Sequence, residues 1–306
     1  MLFGTDSQPF VIFVSEEGRA TTLGIKCNMS LRNHQSVVRL DEDRLIFAGG
    51  VNYLFNHVTS KAYEYNIRTS KFTKIGNLLN RRFFAQIALV RGRLLVIGGR
   101  DYGADDVSIL RSCEEYNFGT KAWEETGYLN FARCNFASLV FQNDLYVFSG
   151  LARTSQLHNS IERFNFSKSV WEVLGLEVTQ DMLGNLGFHK GDEILIFGGT
   201  RTWGAGSLIR LNMKYGADLG EPFYKRLSSK NALAKPIVLE KHVLVLGGFF
   251  PNVLMIDRES LKVIDDPGKV NAYKEVVGEI DKACMQSFRL TKCSFVLPLR
   301  NAGGRL

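Results

Sequence analysis

The sequence lacks most of what thiol, metal or phosphate chemistry requires. Its five histidines, His34, His57, His158, His189 and His242, are scattered, and no H-x-H or H-x-x-x-H pair exists. Copper or zinc chemistry would need clustered ligands, so no metal and no cofactor is expected. The five cysteines (Cys27, Cys113, Cys134, Cys284, Cys293) are odd in number and contain no C-x-x-C pair. They read as reduced thiols in a cytosolic protein, most of them small packing residues. No glycine-rich phosphate loop is present, since Gly204-Ala205-Gly206 is not followed by a helical pattern.

Long hydrophobic runs are also missing. Stretches such as Pro9-Phe10-Val11-Ile12-Phe13-Val14 have strand length and fall far short of the roughly 20 residues that cross a bilayer. No basic segment followed by an apolar run opens the chain, so no secretory signal is expected. The sequons at Asn28-Met29-Ser30 and Asn165-Phe166-Ser167 therefore read as coincidental. Proline is scarce, at six residues, which argues against a disordered arm. The net charge of +7 comes without any block of basic residues, and 31 acidic residues are interspersed. That balance favours anions mildly and gives no nucleic-acid signal.

What the sequence does have is a repeat. Apolar runs ending in two small residues occur at Gly49-Gly50, Gly98-Gly99, Ser149-Gly150, Gly198-Gly199 and Gly247-Gly248. Their first members are 98−49 = 49, 149−98 = 51, 198−149 = 49 and 247−198 = 49 residues apart. A period near fifty with about four short strands per unit is the signature of a propeller. Alternation such as Ala85-Gln86-Ile87-Ala88-Leu89, and enrichment in Val, Ile, Phe and Tyr, favour strands over helices.

Repeats are expected at about 34–75, 83–126, 134–174, 184–227 and 234–264. In the fourth, Tyr215-Gly216-Ala217-Asp218 reads as an insertion that lengthens an outer turn. Residues 9–25 look like the outer half of a unit and residues 284–299 like the inner half. The expected fold is thus all-β and a single domain. It is a six-bladed β-propeller, closed by N-terminal strands pairing with C-terminal strands in one composite blade, which removes exposed sheet edges.

Three of the five doublets are followed by an aromatic and, seven residues later, by a second: Tyr65/Phe72, Tyr116/Trp123 and Phe164/Trp171. Doublet, aromatic followed by Asn or Asp, and second aromatic together resemble the kelch repeat, over essentially the whole chain. Tyr65, Tyr116, Trp123 and Trp171 are expected in the core, with the doublet glycines, lacking a Cβ, lying close to the rings. Ser149, and Ile256/Val263 in place of aromatics, depart from the pattern.

The resemblance implies that loops joining the second and third strands, and those entering each first strand, share one face. That face carries Arg32, Arg81, Arg82, Arg100, Arg133, Arg153, Arg201 and Arg300, with Tyr53, Phe55, Tyr102, Trp203, Phe249 and Phe250. Arginine and aromatics dominate protein-binding hot spots. In kelch substrate receptors, arginines before the first strand hold acidic peptide side chains, which places Arg32, Arg82 and Arg133 as ligand contacts, with Arg100, Arg153, Arg201 and Trp203 beside them. The bland alternative is that these arginines brace neighbouring loops by bonding carbonyls. The function implied is non-catalytic binding of an acidic segment of a partner protein, as a recognition or adaptor module in the cytoplasm, without nucleic acid or membrane. Rival readings are a cytoskeletal or ciliary scaffold and a carbohydrate-active enzyme such as a sugar mutarotase.

Overall fold

The computed structural model describes strands at Leu2–Phe3, Phe10–Val14 and Ala20–Gly24. It further describes residues 32–264 except 33, 53–54, 56, 103–106, 153–156, 179–182, 200–205, 214–216, 219–223, 228–235, 247–252, 261 and 263. Among the described residues every regular element is a strand, and no helix is long and apolar enough to cross a membrane.

The first unit is a four-stranded antiparallel sheet of Ser36–Arg39, Arg44–Ala48, Lys61–Asn66 and Lys71–Asn77, in that order. The second repeats it with Gln86–Val90, Arg93–Ile97, Ser112–Asn117 and Ala122–Tyr128. The third comprises Ala137–Phe141, Asp144–Phe148, Ser160–Asn165 and Val170–Glu177. The fourth has Leu183–Lys190, Glu193–Gly199 and Gly206–Asn212, with an outer strand in two pieces, Ala217–Asp218 and Tyr224–Leu227. The fifth has Pro236–Val238, His242–Leu246 and Val253–Asp257. First strands of consecutive sheets lie beside one another, so the sheets stand side by side like propeller blades around an axis.

Two details differ from the expectation. Ala217 and Asp218 are not turn residues: they pair with Asn212 and Leu211 and begin the outer strand of the fourth blade. At the N-terminus, Leu2–Phe3 adds a third strand, pairing with Val11 and Phe10. The partner strands expected for residues 9–25, within 284–299, lie outside the described residues.

The second strands explain the continuous apolar runs. Leu94, Leu95, Val96 and Ile97 are all fully buried because this strand is covered on both faces. Leu94 and Val96 pack with Ile46, Ala48 and Trp123 in the seam between the first two blades. Leu95 and Ile97 point the other way, to Leu145, Val147, Phe164 and Trp171 in the next seam. Tyr146 and Phe148 then continue into a third core with Ile194 and Ile196. The period-two alternation of a strand thus feeds two neighbouring blades at once.

Cross-strand aromatic pairs close the outer part of each core. Tyr65–Phe72, Tyr116–Trp123 and Phe164–Trp171 are in register, with centroids 4.6, 5.2 and 5.1 Å apart. The doublet glycines meet backbone as well as aromatic side chains: a Cβ on Gly98 would come within 3.0 Å of the Phe136 ring. A Cβ on Gly49 would lie 2.2 Å from the carbonyl oxygen of Arg82, and one on Gly98 would lie 2.7 Å from that of Arg133. Glycine at these left-handed positions lets the connector to the next blade press its backbone onto the strand end.

Candidate functional site: a loop face resting on interblade braces

The connector between the first two blades carries Leu79, Asn80, Arg81 and Arg82. The Arg82 backbone belongs to the first blade: its N–H donates to Thr59 O at 3.4 Å, and its carbonyl accepts from Gly50 N at 2.8 Å. Its guanidinium belongs to the second. Nη1 donates to Gly98 O at 2.7 Å and to Ser112 O at 3.0 Å, while Nη2 donates to Ser112 Oγ at 3.1 Å and to Glu114. Glu114 in turn accepts from the N–H groups of Leu79 at 2.7 Å and Asn80 at 3.0 Å. Both side chains of the ion pair are 0% exposed.

The next connector repeats the arrangement. Arg133 Nη1 donates to Ser149 O at 2.8 Å and Ser160 O at 3.0 Å, and Nη2 to Ser160 Oγ at 2.8 Å and Glu162 at 2.7 Å. Glu162 accepts from Asn130 N at 2.7 Å and Phe131 N at 3.3 Å. Burial pushes the Arg133 guanidinium below its usual range, and the Glu162 carboxylate beside it pulls it back up. Each brace ties the end of one blade to the middle of the next.

The expectation that Arg82 and Arg133 contact a ligand is therefore corrected. A buried guanidinium must be paired and hydrogen-bonded, and theirs are, to carbonyls and a carboxylate of the adjacent blade. Glu114 and Glu162, which complete the braces, escaped the sequence reading. The available signal was a serine two residues before a glutamate, itself two residues before the aromatic: Ser112, Glu114, Tyr116 and Ser160, Glu162, Phe164. The first blade has Lys61, Tyr63 and Tyr65 at the corresponding places.

Other arginines do lie on the loop face. Arg100 opens the small hairpin of Arg100–Tyr102 with Val107–Ile109, and its main chain pairs with Phe83 at 2.9 Å both ways. Its guanidinium carbon sits 5.2 Å from the centroid of Phe83 and 5.8 Å from that of Tyr102. Arg81 pairs with Asp101 at 3.1 Å, an exposed contact worth little by itself. Arg32 is half-buried, its N–H donating to Gln35 Oε1 at 3.3 Å. Phe55 caps the hairpin of the first blade at 78% exposure. Arg153, Arg201 and Trp203, with Gly247 and Gly248, lie outside the described residues.

Around this face, Phe83 packs with Val51 and Val58, with Phe84 and Tyr102 at the edge of the cluster. Cys113 and Cys134 beneath it are free and buried, and burial pushes each thiol up to about 12. A thiol held protonated is a packing group rather than a nucleophile. Cys113 Sγ lies 3.1 Å from Trp171 Nε1. Among the described residues no group of three His, Cys, Asp or Glu side chains could hold a metal ion.

Comparison with known proteins agrees with this geometry. Residues 81–130 and 132–175 match the family model "Kelch motif", spanning the second and third blades with their braces. The second and third blades thus each carry a kelch motif. Kelch-like protein 38 of Rattus norvegicus is 24% identical over 227 residues, 73% of this chain and 38% of the relative. Spermatocyte protein spe-26 of Caenorhabditis elegans is 26% identical over 164 residues, 49% of this chain and 28% of that protein. The chain thus matches well under half the length of these curated relatives. A solved structure, "Structure of YjhT", superposes with a TM-score of 0.55 at 13% identity, over 76% of this chain and 96% of that one. At that identity the likeness supports the fold alone.

Proposed function

We propose that this propeller is a non-catalytic protein-recognition module of the cytoplasm that takes an acidic segment of a partner on its loop face. The observation that carries the reading is Arg100, a half-buried guanidinium held over two aromatic rings in the loop after the second strand of its blade. An arginine pre-oriented in this way loses little rotamer freedom on meeting a carboxylate and offers it a two-pronged donor. Arg32, Arg153, Arg201 and Trp203 are proposed to line the same surface. With Arg82 and Arg133 assigned to the interior, fewer cations serve the partner than the sequence alone implies.

The test is capture of partners by the full chain from its native source, identified by mass spectrometry, followed by binding measurements with the purified partner. Arg100→Ala should weaken that complex by about 2–5 kcal/mol if the contact is buried on docking, with the melting temperature nearly unchanged. Undiminished binding by Arg100→Ala, together with indifference to salt, would rule out the acidic-segment reading.

A further inference from the structure

Three residues that are not glycine occupy the left-handed region at equivalent places in successive blades: His34 at φ 51°, Phe84 at 54° and Asn135 at 51°. Each stands two residues before an innermost strand, ahead of Ser36, Gln86 and Ala137 respectively. Their main chains are joined, since Phe84 N donates to His34 O at 3.3 Å and Asn135 N to Phe84 O at 3.0 Å. They form an arc of backbone bonds on the loop face, at the axial ends of three neighbouring blades. Glycine would make the same bonds without a Cβ in an unfavourable conformation. Retaining a side chain here costs stability, and strained positions of this kind gather where side chains serve binding.

The surroundings fit that reading. All three side chains are half-buried and so remain within reach of solvent. The rings of His34 and Phe84 are stacked with centroids 3.8 Å apart. Phe84 leans on Phe83 at 5.2 Å, and Phe83 supports Arg100. The side-chain amide of Asn135 makes no hydrogen bond among the described residues, which leaves a donor and an acceptor for a peptide group. Among described residues of this face, Arg32, Arg81 and Arg100 outnumber the single acid Asp101.

We propose that His34, Phe84 and Asn135 are the specificity centre of the loop face. An extended protein segment would lay an aromatic side chain on the His34–Phe84 stack and bond its main chain to the Asn135 amide. A carboxylate beside that aromatic would reach Arg100. This rests on the protein-recognition reading above and adds the site and the recognised pattern.

A random linear peptide library displayed on phage and panned against the full chain supplies a defined probe. Enriched peptides should pair an aromatic with a neighbouring acid. The best one, synthesised and labelled, is then titrated by fluorescence polarisation. Asn135→Gly and Phe84→Gly should each weaken it by about tenfold or more, the scale of one lost contact in a desolvated site. Asn135→Gly should leave the melting temperature unchanged or raised, because it relieves the left-handed backbone. Phe84→Gly also removes packing, so Asn135→Gly is the decisive variant. A peptide that binds both variants as it binds the parent overturns the assignment of the site and leaves the recognition reading standing. A fall in melting temperature for Asn135→Gly with binding intact also overturns it. If no peptide is enriched over a blank surface, the recognition reading fails, and the site with it.

Discussion

Replacing Arg133 by alanine tests the brace directly. The guanidinium makes four hydrogen bonds, to Ser149 O, Ser160 O, Ser160 Oγ and Glu162, and is 0% exposed, as is its carboxylate partner. Removing it strands the Glu162 carboxylate in the interior with only the Asn130 and Phe131 donors, and leaves two carbonyls without this donor. Breaking a buried pair in this way costs about 3–5 kcal/mol. At about 2–4 °C per kcal/mol for domains approaching this size, the melting temperature should fall by roughly 6–20 °C. Arg133→Lys retains the charge and loses the fork, so it should lie between the two. Urea titration of Arg133→Ala, Glu162→Ala and the double variant completes a cycle, and the double should cost much less than the sum of the singles. Additive losses, or an Arg133→Ala protein within about 0.5 kcal/mol of the parent, the scale of ordinary surface changes, would refute the reasoning. In that case Arg133 would return to the list of ligand contacts.

Other expectations follow from single contacts. Gly49→Ala should be far more damaging than Gly92→Ala, because its Cβ meets Arg82 O at 2.2 Å whereas that of Gly92 meets nothing within 4 Å. Gly92→Ala carries only the left-handed penalty of about 1–2 kcal/mol, so similar denaturation midpoints would discredit the connector contact. Trp123→Ala should cost roughly 3–5 kcal/mol by chemical denaturation, as it empties the seam shared with Ile46, Ala48 and Leu94. Burial, and then the charge of Arg133, hold His158 below its usual range. The unfolded chain therefore binds the extra proton first, so the stability contributed by neutral His158 is complete above about pH 6.5 and is lost as pH falls through and below that value. His158→Gln should flatten the melting temperature between about pH 7.5 and 5.5, and an unchanged slope would count against it. Cys113 and Cys134, with thiols pushed up to about 12, should resist a thiol reagent until the protein is unfolded.

The blades were legible in the chain because their causes are local. Glycine doublets, turns such as Arg91-Gly92 and aromatics seven residues apart repeat every fifty residues, and strand pairing within a blade joins neighbours in sequence. Second strands are covered on both faces, so Leu94 to Ile97 is apolar without a break and easily found. The sequence reads Gly216 as a turn signal, whereas the pairing of Ala217 and Asp218 with Asn212 and Leu211 makes those two residues a strand.

The loop face is a different case. Sequence placed Arg82, Arg100 and Arg133 together on one surface, by type and by position before a strand. Whether a guanidinium faces a partner or its own fold depends on what the adjacent blade presents. Ser112 with Glu114, and Ser160 with Glu162, lie about thirty residues downstream and draw two of the three inward. Among the described residues Arg100 has no such carboxylate: it lies half-buried over the rings of Phe83 and Tyr102, beside the Cys134 thiol. The backbone conformation of His34, Phe84 and Asn135 is likewise fixed by bonds between blades. Periodicity along the chain determined which residues form the blades. Only the docking of one blade on the next decided which charges are neutralised inside and which are left for another molecule, because burial and pairing are properties of the seam.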